Sequence, residues 1–213
     1  MNFTYEHIIW DWNGTILDDV DLCLEIGNNL FSKYNLNTIT KEKYKAIFTI
    51  PIKDYYKSAG FDFSKYSFEK IGKEWMNVYE KRKYECKLSK NLLDTLQKFS
   101  SLGIEQSILS AYKHDYLTEM VRKFNIDSYF KNIVGVDNIY AESKIELGKK
   151  LIENLGNCNA LLIGDTVHDF DVAKEIGVES ILISGGHQSI EKLKNTGTKV
   201  YNSLNEFYSK NFE

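Results

Sequence analysis

From about residue 88 onward, short apolar runs alternate with stretches of helical periodicity, the pattern of a parallel sheet covered by helices. The spacing predicts strands over Ile104 to Leu109, Asn132 to Val136, Ala160 to Ile163, Ser180 to Ile183 and Lys199 to Tyr201, with His7 to Trp10 as a sixth at the other end of the chain. Leu92, Leu96 and Phe99 share one helix face, and Leu117, Met120, Val121 and Phe124 share another. Ser143 and Glu146 read as an S-x-x-E capping box, which makes Lys144 the first residue of a helix reaching about Leu155.

The segment from about Leu17 to Glu85 is patterned differently. It has no convincing strand and two helix-period series: Leu22, Ile26, Leu30 and Tyr34, then Ile71, Trp75, Val78 and Arg82. Asn35 to Thr40 and Ala59 to Tyr66 carry loop composition, and the only proline, Pro51, interrupts the apolar stretch Ile47 to Ile52 and makes it a shaped loop. The expected fold is α/β: a Rossmann-like parallel sheet with helices on both faces, formed by residues 1–16 and 87–213, plus an all-helical insertion over 17–86. In open α/β sheets ligands bind beyond the carboxyl ends of strands, and Asp11, Ser110 and Asp165 each fall at or just past such an end.

Composition narrows the setting. With 213 residues, 43% hydrophobic and 14% aromatic, the chain can bury a full core. A net charge of -3 and a pI near 5.9 give no basic field for nucleic acid or an anionic membrane. No apolar run approaches the roughly 20 residues of a membrane span, and Met1 leads straight into strand-like sequence, so a cytoplasmic location is expected. Cys23, Cys86 and Cys158 lie far apart without CxxC spacing, which predicts reduced, mostly buried thiols and no zinc site.

The polar residues on the predicted rim suit phosphoryl transfer. Asp11 ends an apolar strand as a nucleophile would, and Gly14-Thr15 lets the backbone turn and offer N–H groups to a phosphate. Ser110 can donate its hydroxyl to a phosphate oxygen, and Lys144 can neutralise the phosphoryl charge. Asp165 and Asp169, in Gly164-Asp165-Thr166-Val167-His168-Asp169, supply hard oxygen ligands for Mg²⁺ together with Asp11. Simpler readings exist for each: Asp11 as a turn residue, Ser110 as an ordinary strand end, Lys144 as a solvated helix start with Lys113 in its place, Asp169 as a helix cap. Asp171 reads as exposed.

Asp11, Ser110, Lys144 and the Asp165/Asp169 pair occur in the order of the four motifs of the haloacid dehalogenase-like (HAD) phosphohydrolases, and Ile8 to Thr15 resembles the first motif, DxDGT. The insertion after it resembles the C1 cap of the phosphoglycolate phosphatase and β-phosphoglucomutase-like branch. The resemblance implies an aspartyl-phosphate intermediate on Asp11 and Mg²⁺ held by Asp11, Asn13, Asp165 and Asp169. It implies phosphate binding by Trp12, Gly14, Thr15, Ser110, Ala111 and Lys144, and a small phosphorylated metabolite beneath the cap. Lys53, in Phe48 to Tyr56, is the candidate for a second anionic group on the substrate, Tyr55 and Tyr56 are read as helix core and rim, and His187 and Gln188 as lining the entrance.

The departure from the pattern is Asn13, which stands where the family has its acid/base Asp and the catalytic assignment includes it. Asn13 keeps the backbone carbonyl for the metal but cannot titrate, so turnover of ordinary esters should be slow by roughly 10²- to 10⁴-fold. The ranking is a phosphatase with a substitute acid (water, His187 or a cap residue) or a good leaving group, then other HAD chemistry on carbon–halogen or carbon–phosphorus bonds. A non-catalytic phosphometabolite sensor or partner-binding protein is the alternative from another class, and a phosphomutase ranks below hydrolysis. Asn13-Gly14 is also prone to deamidation, which would create the missing Asp unless a folded turn holds the amide rigid.

Overall fold

The computed structural model describes residues 4–140, 143–156 and 158–212. Its core is a six-stranded parallel sheet in the order β5-β4-β1-β6-β7-β8. The strands are β1 (His7–Trp10), β4 (Glu105–Lys113), β5 (Asn132–Val136), β6 (Ala160–Gly164), β7 (Glu179–Ile183) and β8 (Lys199–Tyr201). Alternation along β1 explains two cores. Ile8 and Trp10 join Ile108, Leu161 and Ile163 on one face, while Ile9 joins Leu109 and Leu162 on the other.

Helices cover both faces. α5 (Leu92–Ser101), α6 (His114–Lys123) and α10 (Leu204–Phe212) contribute to the first core, and α7 (Ile145–Leu155) and α8 (Val167–Ile176) to the second. This is the α/β Rossmann-like architecture expected from the apolar pattern. α9 (Ile190–Lys194) and α10 were not expected; α9 is a single short turn cluster, and the weak periodicity of α10 is hidden among polar residues.

Four helices lie between the two halves of the core sequence: α1 (Val20–Lys33), α2 (Lys41–Ile47), α3 (Ile52–Ser58) and α4 (Phe68–Arg82). Pro51 does break the apolar stretch, standing at the N-cap of α3 after a cis peptide bond from Ile50. On α4 the buried face is Ile71, Met76 and Tyr79, whereas Val78 is exposed, so the expected stripe is turned by part of a helical step. The chain enters and leaves this helical block through β2 (Leu17–Asp18) and β3 (Lys87–Leu88), paired antiparallel. Two residues are too few for a period-2 signal, which is why neither strand is visible in the sequence.

Two sets of contacts tie the block to the core. On one side Gln188 Nε2 and Lys192 Nζ donate to the Phe48 carbonyl at 2.9 and 2.6 Å, and Ser189 N–H donates to Lys45 O at 3.1 Å. On the other the buried Lys83 pairs with Glu80 at 2.8 Å and with Glu119 of α6 at 2.9 Å. Cys23 and Cys86 are buried free thiols and Cys158 is half-buried. Among the described residues no helix is long and apolar enough to cross a membrane.

The capping box is a correction. Lys144 is the N-cap of α7 rather than its first residue, Glu146 pairs with Lys149 at 2.8 Å, and Ser143 Oγ accepts the Ile145 N–H at 3.3 Å and lies 3.2 Å from His168 Nε2. Burial of the Lys144 side chain beneath the sheet rim holds that residue outside the helix.

Trp10 sits fully buried in the central strand, with its indole N–H on Gln106 Oε1 at 3.0 Å and its ring edge-on to Phe99. Trp10→Ala should lower unfolding free energy by about 3 to 5 kcal/mol, read from the shift in urea midpoint at unchanged m-value.

Candidate active site

The order of strands reverses about β1, with β4 on one side and β6 on the other, so the tip of β1 is the switch point of the sheet. Asp11 occupies that tip, its N–H held by Ile163 O at 2.9 Å. Lys144 reaches it from the N-terminus of α7. Its buried ammonium lies 2.5 Å from Asp11 Oδ1, 2.7 Å from Asp169 Oδ1 and 2.8 Å from the Leu109 carbonyl. Lys113 stays at the end of β4, 3.6 Å from Asp115, and does not substitute for Lys144.

Asp165 and Asp169 come from the β6–α8 junction. Thr166 is the N-cap of α8 and Asp169 its N3 partner in a reciprocal capping box, so Asp169 serves the cap from inside the helix rather than starting it: Oδ2 accepts from Thr166 N–H and hydroxyl while Oδ1 faces Lys144. Ligand oxygens of Asp11, Asp165 and Asp169 lie within 4.8 Å of one another. Close approach depends on small residues: a Cβ on Gly186 would stand 2.1 Å from Asp165 Oδ2, and one on Gly14, at φ +75°, 2.4 Å from it.

Electrostatics follow from this crowding. Burial and the neighbouring Asp169 push Asp11 well above the usual carboxylate range against the pull of Lys144. Burial lifts Asp165 to about 6 although His187 opposes the rise. Asp169 is buried too, yet Lys144 holds it below its ordinary value. Asp11, Asp19, Asp165 and Asp169 are all buried, and the buried cationic partners on the same rim are Lys144 and His187. Hard oxygen donors in excess of positive charge are what a divalent cation fits.

Asn13 is fixed by residues the sequence reading did not single out. Its Nδ2 donates to Asp19 Oδ2 at 2.7 Å and to the Tyr79 hydroxyl at 2.9 Å, while that hydroxyl donates to Asp19 Oδ2 at 2.8 Å. Asp19 Oδ1 also accepts the Gly14 N–H at 3.0 Å and lies 3.2 Å from His187 Nε2. Burial pushes Asp19 up, but His187 and the hydrogen bonds from Asn13 and Tyr79 outweigh it and leave it below its ordinary value. His187 is lowered by burial and raised more by Asp19, so its net shift is upward.

A model of the haloacid dehalogenase-like hydrolase family matches residues 8–183. The chain is a haloacid dehalogenase-like hydrolase. It is 22% identical over 196 residues to the Caldanaerobacter subterraneus subsp. tengcongensis protein called "Putative pyrophosphatase PpaX", covering 88% of this chain and 85% of that one. In fold it is similar to a Clostridium acetobutylicum protein described as a predicted phosphatase (TM-score 0.80, 20% identity, 97% of each chain). It is also similar to CbbY from Rhodobacter sphaeroides in complex with phosphate (TM-score 0.70, 15% identity, 95% and 96% of the two chains).

Several positions in this hydrolase differ from expectation. Ser110 lies within β4, opposite Gly135 just before a bulge, and not on a loop after the strand; its Oγ accepts the Tyr112 N–H at 3.0 Å. The N–H groups of Gly14 and Thr15 turn inward, to Leu17 O and Asp19 and to Trp12 O, so they do not face a phosphate. Thr15 Oγ1 instead reaches Asp165 Oδ1 at 3.3 Å. Trp12 is fully buried and its indole nitrogen has no hydrogen-bond partner among the described residues.

Lys53 is exposed, over the rings of Phe63 and Phe68 at 5.7 and 5.6 Å, and is not among the residues lining the cavity above Asp11. One turn of α3 separates it from Tyr55 and Tyr56, both buried and both in that lining; Tyr56 is therefore core rather than rim. His187 is buried rather than at an entrance: its N–H donates to Asp165 Oδ2 at 2.5 Å, its Nδ1 meets the Tyr44 hydroxyl at 2.7 Å, and Phe48 stacks on its ring. Gln188 is buried as well, between Phe48 O and the Val167 N–H. Asp171 is exposed, and Ala111 lines the cavity beside Ser110. Asp19 could have been suspected from Asp18-Asp19 following the first motif; Tyr44 and Tyr79 carry no local signal.

The geometry bears on deamidation. The Gly14 nitrogen that would attack the Asn13 amide is engaged by Leu17 O and Asp19, and the amide itself has two acceptors. Asn13 should remain intact during prolonged storage of the folded protein, as peptide mapping for a +1 Da species at this position would show, and deamidate once the chain is unfolded.

Proposed function

We propose that the chain is a Mg²⁺-dependent phosphatase of small phosphate monoesters that works through an aspartyl-phosphate at Asp11. The observation that carries this reading is the Lys144 ammonium bridging Asp11 and Asp169 beside Asp165 at the switch point of the sheet. Asp11, Asp165 and Asp169, with the Asn13 carbonyl, are the ligands for Mg²⁺, which when bound supplies charge compensation for the phosphoryl group. Asp11 attacks phosphorus, and the resulting acyl phosphate is then hydrolysed by water. Lys144 pulls against the burial that raises Asp11 and faces the incoming negative charge, while Ser110 offers its hydroxyl. The phosphatase and pyrophosphatase names carried by similar proteins support the reaction class.

Residues 17–86 are read as the cap and 1–16 with 87–213 as the core. The side-by-side strands β2 and β3 make a compact hinge, and closure brings Tyr44, Phe48 and Tyr79 over Asp11 and excludes water. A phosphomutase is disfavoured because Asn13 offers no base for return transfer to a hydroxyl.

Phosphate release from a panel of phosphorylated metabolites with Mg²⁺ should fall by about 10³-fold or more in Asp11→Asn. Release that does not depend on Asp11, or none at all, identifies a phosphometabolite binder instead. Mg²⁺ should also raise the thermal midpoint by about a few degrees. Asp165 sits near 6 against an ordinary 3.8, so its proton stabilises the metal-free fold at low pH and that contribution is lost as pH rises through 6. Mg²⁺ takes the proton's place, and the gain in midpoint should be larger at about pH 7.5 than at about pH 5.

A further inference from the structure

Two independent features of the site concern the group that leaves. The Asn13 amide nitrogen is turned to Asp19 Oδ2 and the Tyr79 hydroxyl, and Asn13 has no titratable proton to give a departing oxygen. The Tyr79 hydroxyl is spent on Asp19, and His187 is held between Asp19 and Tyr44. The second feature is the space above Asp11. It is a cavity of about 130 Å³ walled by Tyr44, Phe48, Tyr56, Phe68, Trp75 and Tyr112.

The same cavity reaches Asp11, Ser110 and Asp165, where the phosphoryl group would sit, and an apolar cavity of about 150 Å³ accepts benzene, so the aromatic wall bounds the rest of the substrate to no more than one ring. It does not suit a second anion. The lysine among the described lining residues, Lys113, lies over the Tyr116 ring and beside Asp115, no arginine is among them, and Lys53 points elsewhere. A carboxylate facing these rings would lose its hydration without gaining a partner. The Tyr55 hydroxyl, buried in the same wall, has no hydrogen-bond partner among the described residues.

Building on the phosphatase reading, we infer that the leaving group is a single uncharged aromatic ring and that the preferred substrates are aryl phosphate monoesters. As the bond from Asp11 Oδ to phosphorus forms, the phosphorus–oxygen bond to the ring breaks and its electron pair leaves on the phenolic oxygen. Phenols ionise near pH 10, as tyrosine does, and a phenolate departs without a proton; an alkoxide is far more basic and needs one. Water then attacks phosphorus, the Asp11–phosphorus bond breaks, and the water's proton passes to the phosphate released. With no base at Asn13 this second step is the slower, so the phenol is released in a burst.

The test compares kcat/KM for phenyl phosphate, glycerol phosphate and 2-phosphoglycolate in the wild-type protein with Mg²⁺. Phenyl phosphate should lead both alkyl esters by about 100-fold or more, with a burst of about one phenol per chain. Equal or faster turnover of either alkyl ester overturns the aryl assignment and leaves the phosphatase standing. Turnover of all three that is insensitive to Asp11→Asn overturns both. A binding measurement covers the ring site separately. Gly72 of α4 lies in the wall, and a Cβ there would meet the Tyr140 ring at 3.4 Å. Calorimetry should show Gly72→Val weakening phenylphosphonate at least tenfold more than methylphosphonate. Equal losses for the two ligands count against a ring site.

Discussion

The contact on which the rest of this site depends is the Lys144 ammonium held between Asp11, Asp169 and the Leu109 carbonyl. It is fully buried, and a buried ion pair stripped of one member costs roughly 3 to 5 kcal/mol. That contact joins three parts of the sheet rim that are remote in sequence: the tip of β1, the end of β4 and the β6–α8 junction. It also holds Lys144 outside α7 and gives Asp169 its double duty as helix cap and charge partner. Three carboxylates around one ammonium remain anionic in excess. The pressure toward a further cation is thus a property of the folded rim and not of any one residue.

A second buried network sits on the other side of Asp11 and has a different purpose. Asp19 accepts from Asn13, Tyr79, Gly14 and His187 at once, and these partners come from the first loop, the helical block and the loop after β7. A carboxylate with that many donors is stable as an anion in spite of burial. Asn13 is therefore a satisfied structural donor. An aspartate at position 13 would put two carboxyl groups 2.7 Å apart unless one kept its proton, so Asn13 and Asp19 belong together as a pair.

Much of this was legible in the sequence where residues act through their own segment. The six main strands follow from apolar runs bounded by turn residues, and Asp11, Lys144, Asp165 and Asp169 each occupy strand ends or helix starts that local pattern reveals, whereas Ser110 lies inside a strand longer than its apolar run. What local pattern cannot show is which polar groups meet across the fold. Tyr44 and Tyr79 come from α2 and α4, and nothing within their own neighbourhoods distinguishes them from other aromatic residues; the loop of His187 drew attention to that residue but not to its partners Asp19, Tyr44 and Asp165. Lys53 illustrates the converse. It lies two residues from the cavity-lining Tyr55, and two residues on a helix turn a side chain to nearly the opposite face, here from the cavity to solvent over Phe63.

The helical block and the site are also linked by construction. Tyr44 and Tyr79 belong to the helical block, yet they complete the hydrogen bonds of His187 and Asn13, and His187 in turn donates its N–H to Asp165. Opening the block at β2 and β3 must break these bonds along with those from Gln188 and Lys192 to Phe48 O. The polar groups closest to the reacting carboxylate are therefore fully partnered only when the aromatic wall is in place above it. On the proposed reading, closure of the block would supply the apolar enclosure and complete the network that fixes Asn13 in a single step, which ties the inferred proton-independent leaving group to the closed arrangement.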